Sequence, residues 1–111
     1  MQIQSEYQGG ILTVSFCGEL DHNAAAPVMR SCEEAIEEFI PRQCMLDFSE
    51  LSFMDSSGIA VILKTEAIMR QIGGDVEILN ANEQTSRVLR LSHLERMIKV
   101  TPRARKECET I

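Results

Sequence analysis

The chain contains no tryptophan, one tyrosine and four phenylalanines, so aromatic residues make up only 5% of it. A core drawn from this supply is aliphatic, built from Ile, Leu, Val, Ala and Met. No C-x-x-C pair occurs, because Cys17, Cys32, Cys44 and Cys108 are separated by 15, 12 and 64 residues. That spacing indicates neither a zinc ribbon nor a redox pair, and scattered free cysteines fit a reducing cytoplasm. No Walker A or G-x-G-x-x-G run is present, so no motif supports phosphate chemistry performed by the chain itself. No apolar stretch approaches the ~18–20 residues that span a bilayer. The opening residues MQIQSEYQGG lack the basic and apolar regions of a signal peptide, and the expected location is the cytoplasm.

Positive charge is scarce too. Acidic residues outnumber basic ones by 17 to 11, for a formal charge of −6. Without a basic stripe, nucleic acid is not an expected partner, and an anionic membrane surface would repel the chain. The balance serves solubility or suits a partner with a basic face.

What is present fits one globular domain over residues 1–111, with 44% hydrophobic and 25% charged residues. A weak strand over Ile3–Tyr7 leads through Gly9-Gly10, a hairpin turn, into a β-branched strand over Ile11–Cys17 that Gly18 ends. Glu19 to Asn23 reads as a polar loop, with Asp21 or Asn23 capping a helix whose first turn holds Pro27. Val28, Met29, Cys32, Ala35, Ile36 and Phe39 give that helix one apolar face, Glu33, Glu34, Glu37 and Glu38 its solvent side, and Pro41 its end.

A third strand covers Cys44–Phe48, and Ser49–Ser56 reads as a connecting loop. The second helix runs from about Ser57 to Gln71, stopped by Gly73-Gly74. A fourth strand over Val76–Leu79, a helix over Glu83–Leu91 with Val88 and Leu91 inward, and an edge strand over Met97–Val100 follow. The tail from Pro102 forms a last helix or frays. Alternating strands and helices indicate an α/β domain with one mixed sheet and right-handed crossovers.

The informative stretch is Leu51 through Leu63, which places Asp55, Ser56 and Ser57 where a loop becomes a helix. Ser56 takes the N-cap position, with the N–H groups of Gly58 and Ile59 just inside. The unpaired donors and positive dipole end of a helix start suit an anion. Gly58, lacking a Cβ, lets backbone or a bulky partner group approach closely. Asp-Ser-Ser-Gly before an apolar run is also ordinary helix-start chemistry. The functional reading is a phosphoacceptor: a phosphate on Ser56 adds about −1.5 to −2 charges beside Asp55. Strand-to-helix loops of an open α/β sheet share one rim, which brings Glu19 and Asp21 toward Ser56.

A hydrolase built on Ser56, His22 and Asp21 is disfavoured. Adjacent Asp and His side chains seldom meet in triad geometry, and no G-x-S-x-G elbow surrounds the serine. His22 and His93 lack a ligand cluster, so neither a catalytic residue nor a metal is expected.

Gly18-Glu19-Leu20-Asp21-His22, Leu51 through Leu63 and Gln71-Ile72-Gly73-Gly74 together resemble the anti-sigma factor antagonists of the STAS class, their sporulation members above all. The resemblance follows nearly the whole chain in element order. It implies a STAS fold, a mixed sheet of four or five strands with three or four helices mainly on one face. It implies a kinase substrate rather than an enzyme. No cofactor is expected, and a monomer is the default for the free form. The partners implied are an anti-sigma factor that is also a serine kinase of the histidine-kinase-like ATPase class, and a serine phosphatase. By position, Ser56 is the phosphorylated residue. Asp55, Ser57, Gly58 and Ile59 frame it, and Glu19, Asp21 and His22 match the loop that helps dock the kinase. Ala60 and Lys64-Thr65-Glu66 depart from the sporulation pattern without touching the acceptor. A constitutive STAS interaction module, in a stress-signalling assembly or beside a transporter, is the alternative.

Overall fold

The computed structural model describes residues 1–103. Gly9 and Gly10, both at positive φ, turn strand β1 (Gln2–Gln8) back antiparallel onto β2 (Ile11–Leu20). Helix α1 (His22–Phe39), β3 (Gln43–Met54), helix α2 (Ser56–Gln71), β4 (Asp75–Ala81), helix α3 (Glu83–Leu91) and β5 (Lys99–Pro102) follow, with a 3-10 turn at Leu94–Arg96 before β5. The sheet order is β1-β2-β3-β4-β5, and every pairing after the first is parallel. Three successive crossovers stepping in one direction put their helices on one face when all share the usual right hand.

The alternation of side chains along each strand divides the sheet. Leu12, Val14 and Phe16 of β2, Cys44, Leu46 and Phe48 of β3, and Val76 and Ile78 of β4 are buried beneath the helices. Phe16 and Phe48 meet edge to face at 5.0 Å, and at the far rim Tyr7 stacks on Phe39 at 4.8 Å. Thr13, Ser15, Met45, Asp47 and Glu77 lie on the opposite face, which no helix covers among the described residues, and are only half-buried. Helix α1 buries Val28, Cys32, Ala35 and Ile36, the apolar face that its periodicity predicts.

Several boundaries differ from expectation. Strand β2 continues past Gly18 to Leu20, and β3 continues past Phe48 to Met54, so Glu19 and the supposed loop at Ser49–Met54 are strand. Two register shifts, between Ser15 and Cys17 and between Gly18 and Glu19, let the extensions pair, with Gly18 at φ 115. Asp21 caps α1, so Pro27 falls in the second turn rather than the first. Its missing N–H leaves the Asn23 carbonyl without a helical donor at an exposed spot where water serves. In α3, Leu89 and Thr85 point inward, while Leu91 is 75% exposed because it follows Leu89 by only two residues. Strand β5 begins at Lys99, since the N–H groups of Met97 and Ile98 donate back to the Leu94 carbonyl of the 3-10 turn, and Met97 is exposed. Pro102 belongs to β5 and Arg103 follows it without helical structure; the rest of the expected tail helix, and Cys108, lie outside the described residues. Among the described residues, no helix is long and apolar enough to cross a membrane.

Candidate functional site

Leu20 and Met54 are register partners on parallel neighbouring strands, and each is followed at once by an aspartate that caps a helix. Asp21 accepts from the Ala24 N–H at 3.0 Å, and Asp55 from the Ser57 N–H at 2.8 Å. The Asp55 N–H also donates to the Leu20 carbonyl at 3.3 Å, tying the two helix starts together. Neighbouring strands lie ~4.8 Å apart, so both starts belong to one rim. Glu19, Asp21 and His22 on one side and Asp55, Ser56 and Ser57 on the other are thereby brought together, as their sequence positions imply.

Ser56 is not the N-cap. Asp55 takes that role, and Ser56 is the first residue of α2, exposed, with no hydrogen bond from its hydroxyl within the described residues. The longer reach of Asp55 explains the difference: its carboxylate bridges to Ser57 while its carbonyl accepts from Gly58 N–H at 3.0 Å. The open anion site expected here is therefore already filled by the chain's own carboxylate. A group added to Ser56 stands outside the cap.

Gly58 and Ile59 serve the fold. Gly58 is buried, and a Cβ on it would meet Met54 Sδ at 2.6 Å and Leu20 Cδ2 at 3.1 Å. Its missing side chain admits the ends of β2 and β3, not an outside group. Ile59 is half-buried against the core. His22 is exposed and makes no hydrogen bond to Asp21 or Ser56 among the described residues, so no triad forms.

Three residues at this rim were not read as site residues. Phe53, 40% exposed, is the register partner of Glu19. Asn82 caps α3 by accepting from Thr85 N–H at 2.8 Å, and its amide also donates to the Leu51 carbonyl at 3.1 Å. Gln84 accepts from the Met54 N–H at 3.1 Å and donates to the Met54 carbonyl at 2.8 Å. The only sequence signal was Asn82 and Gln84 opening a helix after a strand, which marks a cap and nothing about β3. A groove of ≈ 630 Å³, lined by Met1, Ile3, Glu19, Asp21, Pro27 and Val28 among others, flanks the rim between β1 and α1.

The buried thiols are poor nucleophiles. Burial pushes Cys44 up to about 12, with Cys32 adding to the rise. Burial likewise pushes Cys32 up to about 11, against a hydrogen bond with Thr65.

A mixed five-stranded sheet in chain order, helices on one side and a serine opening the second helix define a STAS domain. The STAS family pattern matches residues 2–106, and the chain belongs to that family. Within it, the chain groups with the anti-sigma factor antagonists. It is 36% identical over 103 residues to the anti-sigma F factor antagonist of Paenibacillus polymyxa, covering 90% of this chain and 86% of that one. The unphosphorylated form of the anti-sigma factor antagonist SpoIIAA superposes with a TM-score of 0.78 at 26% identity, covering 97% of this chain and 92% of that one. The phosphorylated form of the Bacillus cell fate determinant SpoIIAA gives a TM-score of 0.69 at 26% identity, covering 97% and 96%. The resemblance read from Gly18–His22 and Leu51–Leu63 is thus borne out at the level of family.

Proposed function

We propose that this chain is an anti-sigma factor antagonist controlled by phosphorylation of Ser56. In its unphosphorylated form it binds an anti-sigma factor that is also a serine kinase, and the sigma factor is released. Phosphate on Ser56 ends the binding, and a serine phosphatase restores it. The observation that carries this reading is the free, exposed hydroxyl of Ser56 at the start of α2, on a rim that also presents Glu19, Asp21, His22 and Asp55. Because Asp55 already holds the helix cap, a phosphate gains little from the helix end and adds its charge outward. The first turn need not unfold to accept it. The added charge stands beside the Asp55 carboxylate and on the same rim as Glu19 and Asp21, where a docked acidic or closely packed group of the partner meets repulsion. The chain acts as a substrate in this cycle, and no residue of it performs the transfer.

The test uses the whole chain, ATP and the purified anti-sigma F factor of Paenibacillus polymyxa. One phosphate on Ser56, located by mass spectrometry, is expected. Ser56→Ala should retain binding and take no phosphate, while Ser56→Asp should bind at least ~10-fold more weakly. A phosphate found on Ser57 or elsewhere, or equal binding by Ser56→Asp, would overturn the assignment.

A further inference from the structure

The β3–β4 backbone ladder runs from Gln43 opposite Asp75 to Asp47 opposite Leu79 and stops there. The next residue of β4, Asn80, adopts a left-handed conformation with φ 61, and the strand turns away. Strand β3 nevertheless continues for seven residues, Phe48 to Met54, with β2 as its backbone partner on the other edge. Side chains take up the edge that β4 abandons. Arg103 donates to the Phe48 and Ser49 carbonyls at 3.0 and 2.7 Å. Asn82 donates to the Leu51 carbonyl at 3.1 Å. Gln84 closes the row on Met54, accepting from its N–H at 3.1 Å and donating to its carbonyl at 2.8 Å.

The last contact differs from the others in kind. A primary amide that both accepts from and donates to one residue reproduces what a neighbouring strand's peptide groups would offer. Met54 is also the residue immediately before the Asp55 cap and two before Ser56. With Leu20 on one edge and Gln84 on the other, the end of β3 is held from both sides, and α2 starts from a fixed point. Without Gln84 the Met54 N–H and carbonyl on that edge lose their partners, and the start of α2 is held from one side only.

We propose that Gln84 is the positioning residue for Ser56, setting through Met54 the place and angle at which the serine is offered to a docking kinase. The inference rests on the reading of Ser56 as the phosphoacceptor. It assigns Gln84 no contact with the transferred phosphate.

Gln84→Met keeps the length of the side chain and removes both hydrogen bonds; Gln84→Glu keeps the acceptor for the Met54 N–H and loses the donor. Two readouts on the full chain decide the matter. In amide hydrogen exchange by NMR, Gln84→Met should speed exchange at Met54 to Ser57 by about ten-fold while Val14 and Ile78 stay unchanged. In phosphorylation by the anti-sigma F factor of Paenibacillus polymyxa with ATP, Gln84→Met should lower kcat for Ser56 by about ten-fold with KM nearly unchanged, since the loss is one of alignment. Gln84→Glu should fall between Gln84→Met and the unaltered chain in both. Faster exchange spread evenly over the sheet would make Gln84 a general stabiliser and overturn the proposal, as would an unchanged kcat in Gln84→Met. If the unaltered chain takes no phosphate on Ser56, the functional reading fails and the proposal falls with it. The exchange pattern then reports separately whether the clamp on Met54 exists.

Discussion

At the scale of single residues, Gly58 has the clearest physical necessity. It sits inside α2 with ordinary helical backbone, where alanine is favoured over glycine by ~1 kcal/mol. Space overrides that preference, because an alanine methyl would stand 2.6 Å from Met54 Sδ and 3.1 Å from Leu20 Cδ2. Gly58→Ala should therefore lower stability by ~1–2 kcal/mol despite the better helix former, as the overpacked methyl pushes α2 off the strand ends. A urea midpoint equal to or above that of the unaltered chain would mean that the Met54 thioether swings clear. The glycine itself was legible in the sequence, but its reason was not. Local chemistry suggested an opening for a partner, whereas the neighbours that fill the space arrive from β2 and β3, thirty-eight and four residues away. The exposure of Ser56, two residues earlier, was legible for the opposite reason: a hydroxyl at a helix start depends on little beyond that start. Even so, sequence alone did not reveal that the longer Asp55 side chain would take the cap.

At the scale of elements, the helices were readable and the strand ends were not. A helix is specified by its own periodicity and caps, so the bounds of α3 and the buried stripe of α1 follow from residues close in sequence. The final turns of β2 and β3 exist because each supplies the other's partners. Cys17 faces Glu50, and Leu20 faces Met54, across two bulges that no local pattern announces. The end of α1 carries a strain that the sequence hides in the same way. Ile40 adopts the left-handed conformation, φ 45 and ψ 59, with its N–H bonded to the Ile36 carbonyl at 2.9 Å. Left-handed backbone costs a non-glycine residue ~1–2 kcal/mol, and a β-branched one is worst placed to bear it. Ile40 is 60% exposed and so returns little by packing. Ile40→Gly should raise stability by ~0.5–1 kcal/mol, the relief of strain being partly offset by the greater freedom of glycine in the unfolded chain. A lower melting temperature in calorimetry would show that the isoleucine side chain holds something at that rim.

At the scale of the whole molecule, two electrostatic effects run in opposite directions as acid is added. The chain carries a formal charge of −6 at neutral pH, so mild acid relieves self-repulsion. Asp47 works the other way and ties distant parts together: it lies on β3 and accepts from Asn80 of β4 and from the Ser49 N–H, both at 3.0 Å, with Arg103 near. Partial burial pushes its carboxyl up, but the Asn80 hydrogen bond, the bonds with Ser49 and the charge of Arg103 outweigh it and hold the group below its ordinary value. A carboxyl lowered in the folded state contributes stability that is present above its unfolded value and is lost as pH falls through the folded one. Stability should accordingly stay level or rise slightly from neutral pH into the mildly acidic range, then fall once pH drops below ~4. Asp47→Asn removes the charge but keeps an oxygen to accept from Asn80 and Ser49. It should therefore be less stable than the unaltered chain at pH 7, with the gap closing below pH ~4 as the native aspartate is protonated. Urea midpoints measured for both chains across that range decide it. Parallel curves would mean that the Asp47 charge contributes nothing, and that the sheet, Asn80 and Arg103 hold the middle of β3 without it.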